Sequence, residues 1–262
     1  MTRRLTAIFA HPDDDTYGIG GTAALAAADP GFELRVVLAT SGEAGLIADE
    51  SLATRENLGR VREAEDRGSW KALGVEPASL EFLRFPDGGL AVADRPELKD
   101  RLVALLTEAP PDVVATFGPD GVTGHEDHVA IGGVATEAFH EVRAGAQGDG
   151  LERLLYVGLP QSKLGRFAEL LRERGIDPPD PTQPFQPRGV PDETIAFQVD
   201  CSAVYERKLA ALREHRTQGE LQDVPFDLWP LVLSGEAFVQ AWPQREPDAP
   251  VLTDPFEDLT VE

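Results

Sequence analysis

Six short apolar runs separated by longer helical patterns constrain this chain more than any other feature. The runs are Leu5–Ala10, Leu34–Thr40, Leu80–Phe85, Val113–Phe117, Leu154–Val157 and Ile195–Val199. Helical patterns fall at Thr22–Ala28, Leu52–Leu73 and Glu97–Glu108 between the early runs, and at Val129–Val142 after the fourth. Such alternation builds an α/β fold, a mainly parallel β-sheet with helices on both faces. Ligands bind such sheets in the loops beyond the carboxyl ends of the strands. Four polar loops occupy those places: "AHPDDD" (Ala10–Asp15), "SGEAG" (Ser41–Gly45), "PDGG" (Pro86–Gly89) and "GPDGVTGHEDH" (Gly118–His128).

At 262 residues the length suits one large domain with a sizeable core. We expect a single α/β domain over 1–242, with 178–193 as a proline-rich loop or flap. The acidic, proline-rich segment 243–262 is expected as a C-terminal tail, extended over the surface or partly disordered. A formal net charge of −22 repels nucleic acid and anionic membrane surfaces, and no Lys/Arg run overrides it locally. The single cysteine, Cys201, allows no internal disulfide and suits a reducing compartment. The first apolar run is too short for a secretory signal and ends in acid, and no stretch is long enough to span a membrane. These features predict a cytoplasmic protein acting on a small molecule, with a homo-oligomer left open.

Three consecutive carboxylates, Asp13, Asp14 and Asp15, stand directly after the first apolar run, preceded by His11. Two more histidines, His125 and His128, lie in "GHEDH" after the fourth. If the first and fourth strands are neighbours, the two loops share one pocket. A catalytic zinc takes three N/O ligands and keeps a fourth position open. His11 and Asp14, three apart in a turn stiffened by Pro12, suit two of those places. Asp13 would then point toward the activated water as general base and later acid. A divalent cation also answers the mutual repulsion of the acids. The second loop offers one histidine for the metal and one to donate to an oxyanion, with Asp127 as a partner that fixes an imidazole's tautomer.

Together, "AHPDDD" and "GHEDH" resemble the two signature motifs of the PIG-L/LmbE-like family of metal-dependent N-deacetylases. That family includes N-acetylglucosaminyl-phosphatidylinositol deacetylase and the mycothiol and bacillithiol biosynthetic deacetylases. "TSGEAG" (Thr40–Gly45), "REAEDRGSWKALGV" (Arg62–Val75), "FLRFPDGGL" (Phe82–Leu90) and "KLAALREHRTQ" (Lys208–Gln218) extend the similarity. The resemblance implies a Rossmann-like sheet and a zinc site, open to other divalent metals, made by His11, Asp14 and His128. It implies Asp13 as general base, protonated His125 as oxyanion donor and Asp127 as the carboxylate supporting that histidine. Arg62 and Asp87 match positions that contact the sugar in some members. Two departures stand out: Asp15 replaces the more usual Glu, and Thr123 stands where some members carry Tyr.

Other motifs lead elsewhere. "GIGG" (Gly18–Gly21) lacks dinucleotide-binding spacing and follows acids that would repel a pyrophosphate, so close helix–sheet packing explains its glycines. No Gly-x-Ser-x-Gly elbow occurs, and Cys201 lies far from the motif loops. His140 reads as a surface or packing residue, whereas His215 fits either a helix C-terminus or the edge of the site. The expected function is zinc-dependent hydrolysis of the acetamide of an N-acetylglucosamine-type conjugate. The alternatives are an amidase for a larger N-acyl group and a non-catalytic metal- or sugar-binding protein.

Overall fold

Strand β1 (Arg3–Phe9) and helix α1 (Asp14–Ala26) open the fold. The computed structural model of the protein describes residues 3–145, 150–219, 224–246 and 248–259. β2 (Phe32–Leu38), α2 (Leu58–Leu73), β3 (Ser79–Phe82), α3 (Arg95–Glu108) and β4 (Val113–Phe117) continue the alternation. A single turn, α4 (Gly121–Gly124), leads into α5 (Glu126–Gly145), β5 (Arg153–Gly158) and α6 (Gln161–Glu173). β6 (Ile195–Asp200), α7 (Tyr205–Leu212), α8 (Trp229–Leu233) and β7 (Gly235–Trp242) complete it. All five residues of β4 are buried, as a strand covered on both faces requires. Asp94 caps α3 by accepting from the Glu97 N–H at 3.1 Å, and Pro96 sits in the first turn, where its missing donor costs nothing.

The sheet order is β3-β2-β1-β4-β5-β7-β6. The first five strands are parallel, and β7 runs antiparallel to both its neighbours. Right-handed crossovers place α1 and α2 on one face, because their connections step outward toward β3. The connections through α3 and α5 step the other way, so those helices cover the opposite face, where they pack together. β1 and β4 are adjacent, with Leu5 opposite Val113 and Ala7 opposite Ala115. Their outgoing connections leave in opposite directions, which opens a crevice between their carboxyl ends. "AHPDDD" and "GHEDH" both border that crevice.

The structure moves several expected boundaries. α1 starts at Asp14, eight residues before the expected Thr22, so two of the three acids occupy its first turn, where the helix dipole favours them. The glycines that obscured this helix in the sequence pack it closely. A Cβ on Gly21 would lie 2.5 Å from the Cys201 sulfur, and one on Gly18 would lie 3.0 Å from the Phe9 ring. The sequence reading missed α6 and β7. In β7 the buried Glu236 disguises an interior strand: its carboxylate accepts from the Gly21 and Thr22 N–H groups of α1 and pairs with buried Lys208.

The C-terminal segment lies along the outer strand. Leu252 bridges Phe197 of β6, and buried Phe256 meets the Phe32 ring edge-on at 6.0 Å. Residues 247 and 260–262, also part of the expected tail, lie outside the described residues. No described helix is long and apolar enough to cross a membrane.

Candidate metal centre

The turn between β1 and α1 brings its polar groups inward. Pro12 is buried, Asp13 is half-buried and its backbone stands at φ +118°, outside the regions an L-residue ordinarily occupies. Strained backbone of this kind persists where the surroundings over-determine it. Here the His11 N–H donates to Asp14 Oδ2 at 2.8 Å, and the Gln218 side chain donates to the Pro12 carbonyl at 2.6 Å.

Three side chains converge beyond this turn. His11 Nδ1 lies 3.2 Å from His128 Nε2 and 3.3 Å from an Asp14 carboxylate oxygen. His128 Nε2 lies 3.3 Å from the other Asp14 oxygen. A tetrahedral zinc with ligands at about 2.0–2.1 Å sets neighbouring donors about 3.3–3.4 Å apart, so the two imidazole nitrogens, with an Asp14 oxygen beside each, are spaced as a divalent ion of that size requires. The remaining ring nitrogens point away from it and are engaged. His128 Nδ1 donates to the Gly121 carbonyl at 2.9 Å, which leaves the lone pair on Nε2. His11 Nε2 faces Asp87 at 3.1 Å and Asp127 at 3.2 Å. That carboxylate–histidine arrangement presents Nδ1 for ligation. Phe117 stacks on His128 at 4.0 Å and nearly parallel, fixing the ring plane.

Electrostatics follow the same geometry. Burial alone would lower the His11 pKa, but the Asp127, Asp14 and Asp87 carboxylates outweigh it and hold it well above the usual value. Burial opposes ionisation of Asp87, yet the His11 hydrogen bond and charge and the Ala44 N–H bring it down to about 2. Burial also opposes Asp127, and His11 with the Leu90 and Gly88 N–H groups still lowers it. For His125, burial and then the charges of His11 and His128 lower the pKa. The Asp127 backbone N–H donates to His125 Nδ1 at 3.1 Å, so the neutral ring carries its proton on Nε2.

The site stands beside known proteins as follows. The pattern of PIG-L, described as GlcNAc-PI de-N-acetylase, matches residues 6–139. A 1D-myo-inositol 2-acetamido-2-deoxy-α-D-glucopyranoside deacetylase of Rhodococcus jostii is 34% identical over 250 residues, covering 82% of each chain. The chain belongs to the PIG-L family. Among solved structures, a conserved protein of Thermus thermophilus aligns at 25% identity over 94% of this chain and 97% of that one, with a TM-score of 0.63. The N,N'-diacetylchitobiose deacetylase of Pyrococcus horikoshii aligns at 26% identity over 91% and 83%, with a TM-score of 0.59. This PIG-L chain is accordingly an enzyme of the deacetylase kind, acting on amide bonds.

Within this PIG-L site, three sequence expectations meet a different arrangement. Asp127 was expected to support His125 through its carboxylate. Its carboxylate instead receives His11 together with the Gly88 and Leu90 N–H groups at 2.7 and 2.9 Å, and only its backbone reaches His125. His125, expected as a protonated donor, accepts the Asp127 N–H at Nδ1, and burial with the charges of His11 and His128 lowers its pKa. Arg62 and Asp87 were expected at the sugar. Arg62 is buried and donates to the Gly42 and Leu46 carbonyls at 2.8 and 2.7 Å, bracing the loop after β2. Asp87 bridges His11 and the Ala44 N–H.

Below the site lies a buried layer that the sequence reading largely missed. Asp15 is fully buried and accepts from the Trp70 indole at 2.7 Å and the Thr16 N–H at 2.8 Å. Burial pushes its pKa up to about 6, and burial together with the Asp15 charge raises neighbouring Asp66 well above the carboxylate range. Two buried carboxyls this close resist ionising together. Thr16, Ser69 and His215 continue the layer at 2.7 and 3.4 Å. His215 is therefore an interior residue under the first motif. The spacing of Asp66, Ser69 and Trp70 on one face of α2 was the available signal. Phe185 and Arg188, which reach the site from the loop before β6, carried none.

Proposed function

We propose that this chain hydrolyses the acetamide of an N-acetylglucosamine-type conjugate, with zinc held by His11, Asp14 and His128. The donor triangle of about one ion's width, with its outer nitrogens already satisfied, carries the reading. A bound divalent ion supplies Lewis acidity toward the carbonyl oxygen and lowers the pKa of water. Asp13, at the strained apex of the same turn, takes the proton of the attacking water and delivers it to the departing amine. His125 donates its Nε2–H to the oxyanion that develops on the amide carbonyl. Asp127 and Asp87 hold the His11 ring in the tautomer that presents Nδ1. The substrate named for the curated relatives, an acetamidoglucosyl inositol, supports a sugar conjugate of this class.

The test combines metal analysis with amine release from N-acetylglucosamine conjugates and from analogues bearing bulkier N-acyl groups. Asp13→Asn should lower kcat about 10²- to 10⁴-fold, the usual contribution of a general base, while zinc content is kept. Undiminished turnover in that variant would overturn the assigned mechanism. Preference for a bulky acyl group would replace the acetyl assignment with a larger-acyl amidase.

A further inference from the structure

The connection from α6 to β6 includes 174–189, which form no helix or strand, yet two of its side chains stand at the site. The Phe185 ring lies 4.9 Å from the His125 ring while 62% of the residue stays exposed. It is held there from φ +59°, a left-handed backbone that a bulky aromatic residue rarely adopts. The Arg188 N–H donates to the Val122 carbonyl at 2.6 Å, which ties this loop to the turn before His125.

The Arg188 guanidinium lies flat over Gly124. A Cβ built on that glycine would fall 2.2, 2.3 and 2.4 Å from Cζ, Nη1 and Nη2, so no other residue admits the guanidinium in this place. Gly124 also sits at φ +71°. Among the described residues the half-buried guanidinium makes no hydrogen bond and no ion pair. Asp120 feels its charge, yet Asp120 Oδ2 is buried without a hydrogen-bond partner. The protein carries 46 acidic residues against 24 basic ones, and a cation beside His125 is nevertheless left with its planar donors available.

We propose that Arg188 recognises a carboxylate or phosphate on the substrate, next to the amide that is cut, while Phe185 covers the sugar above His125. The inference rests on the deacetylase reading of the site and narrows it to anionic N-acyl amino-sugar conjugates. A guanidinium offers a carboxylate or phosphate two parallel hydrogen bonds. It also offsets locally the repulsion that a net charge of −22 exerts on an anionic substrate. The inositol conjugate in the relatives' names bears no such group, so this chain would differ from them in substrate.

The experiment uses the zinc-loaded full chain and three matched N-acetylglucosaminides: 4-carboxyphenyl, 4-phosphophenyl and the neutral 4-carboxamidophenyl. The wild type should prefer an anionic member by about tenfold or more in kcat/KM, mostly through KM. Arg188→Ala should reduce that preference about 10- to 100-fold, and Arg188→Lys should restore part of it. The carboxylate and phosphate arms separate the two sources of charge. Calorimetric binding of the same ligands to Asp13→Asn protein, with and without Arg188→Ala, reads the contact without turnover. Equal loss on charged and neutral substrates, or rescue of Arg188→Ala by Asp120→Asn, would identify Arg188 as a structural counter-ion and overturn the assignment. Failure to cleave all three would sink the deacetylase reading, and the calorimetric contrast would still decide on Arg188.

Discussion

Replacing Asp127 by Asn tests how His11 is held, because the side chain keeps its volume and loses one acceptor. The carboxylate is fully buried. Its Oδ2 receives the Gly88 N–H at 2.7 Å and faces His11 Nε2 at 3.2 Å, and its Oδ1 receives the Leu90 N–H at 2.9 Å. The less costly orientation of an asparagine puts its oxygen on the side with two donors. Its NH2 group then abuts the Leu90 N–H, which leaves buried donors unsatisfied at about 1–3 kcal/mol. Weakening of the other two bonds, once charge-assisted, adds about 1 kcal/mol, and removal of a buried charge offsets part of the total. The expected net loss of stability is below that sum, at about 1–3 kcal/mol. Asp87 still faces His11 Nε2 at 3.1 Å, so zinc affinity should fall by about tenfold, the low end for a residue supporting a metal ligand. Asp87→Asn in combination should cost more than the two single changes added together, because the ring then loses both acceptors. Urea unfolding of metal-free protein and a chelator-competition titration give the two numbers. Stability within about 0.5 kcal/mol of wild type, the range of an ordinary surface substitution, together with unchanged zinc affinity would refute the argument.

Other consequences follow for pH and packing. Burial, and next the Arg62 charge, hold the His215 pKa down to about 3, so the unfolded chain takes up that proton first. Its contribution is therefore complete above about pH 6.5 and is lost as pH falls toward 3, by on the order of 4 kcal/mol. Asp15, raised to about 6, acts oppositely: its burial destabilises the fold increasingly as pH rises from about 4 to 6. The difference between wild type and His215→Gln, measured by urea unfolding from about pH 4.5 to 7.5, isolates the histidine, and parallel curves would refute its role. Gly21→Ala should destabilise by about 1–3 kcal/mol, read as a lower Tm, because the new Cβ meets Cys201 Sγ at 2.5 Å and Cβ at 2.8 Å. Adding Cys201→Ala should recover only part of that loss, since it removes the sulfur and leaves the carbon.

Periodicity revealed what is locally encoded. The largely apolar runs of β1 and β4 can be buried only on both faces, and the regular alternation of such runs with helical patterns made a parallel, helix-covered sheet legible, and with it the edge where the motif loops gather. Elements that rely on partners were not. β7 carries a buried glutamate whose environment exists only once Lys208 and two N–H groups of α1 surround it, and in sequence it reads as a polar surface residue. The start of α1 was hidden because glycines and clustered acids are poor helix formers, and packing against Phe9 and Cys201 overrides that preference.

The candidate site divides along the same line. Residue type and spacing, by themselves, selected His11, Asp13, Asp14, His125 and His128 as one constellation, because few other uses justify such acids and imidazoles at two strand ends. Only the tertiary structure decided which atom faces which. Asp127 turned from His125 to His11, Arg62 turned to the backbone of a loop, and Phe185 and Arg188 arrived from a segment some 60 residues beyond the second motif. A side chain's partner is chosen by the meeting of distant segments, which a linear pattern does not record; the chemistry it brings to that meeting is written in the residue itself.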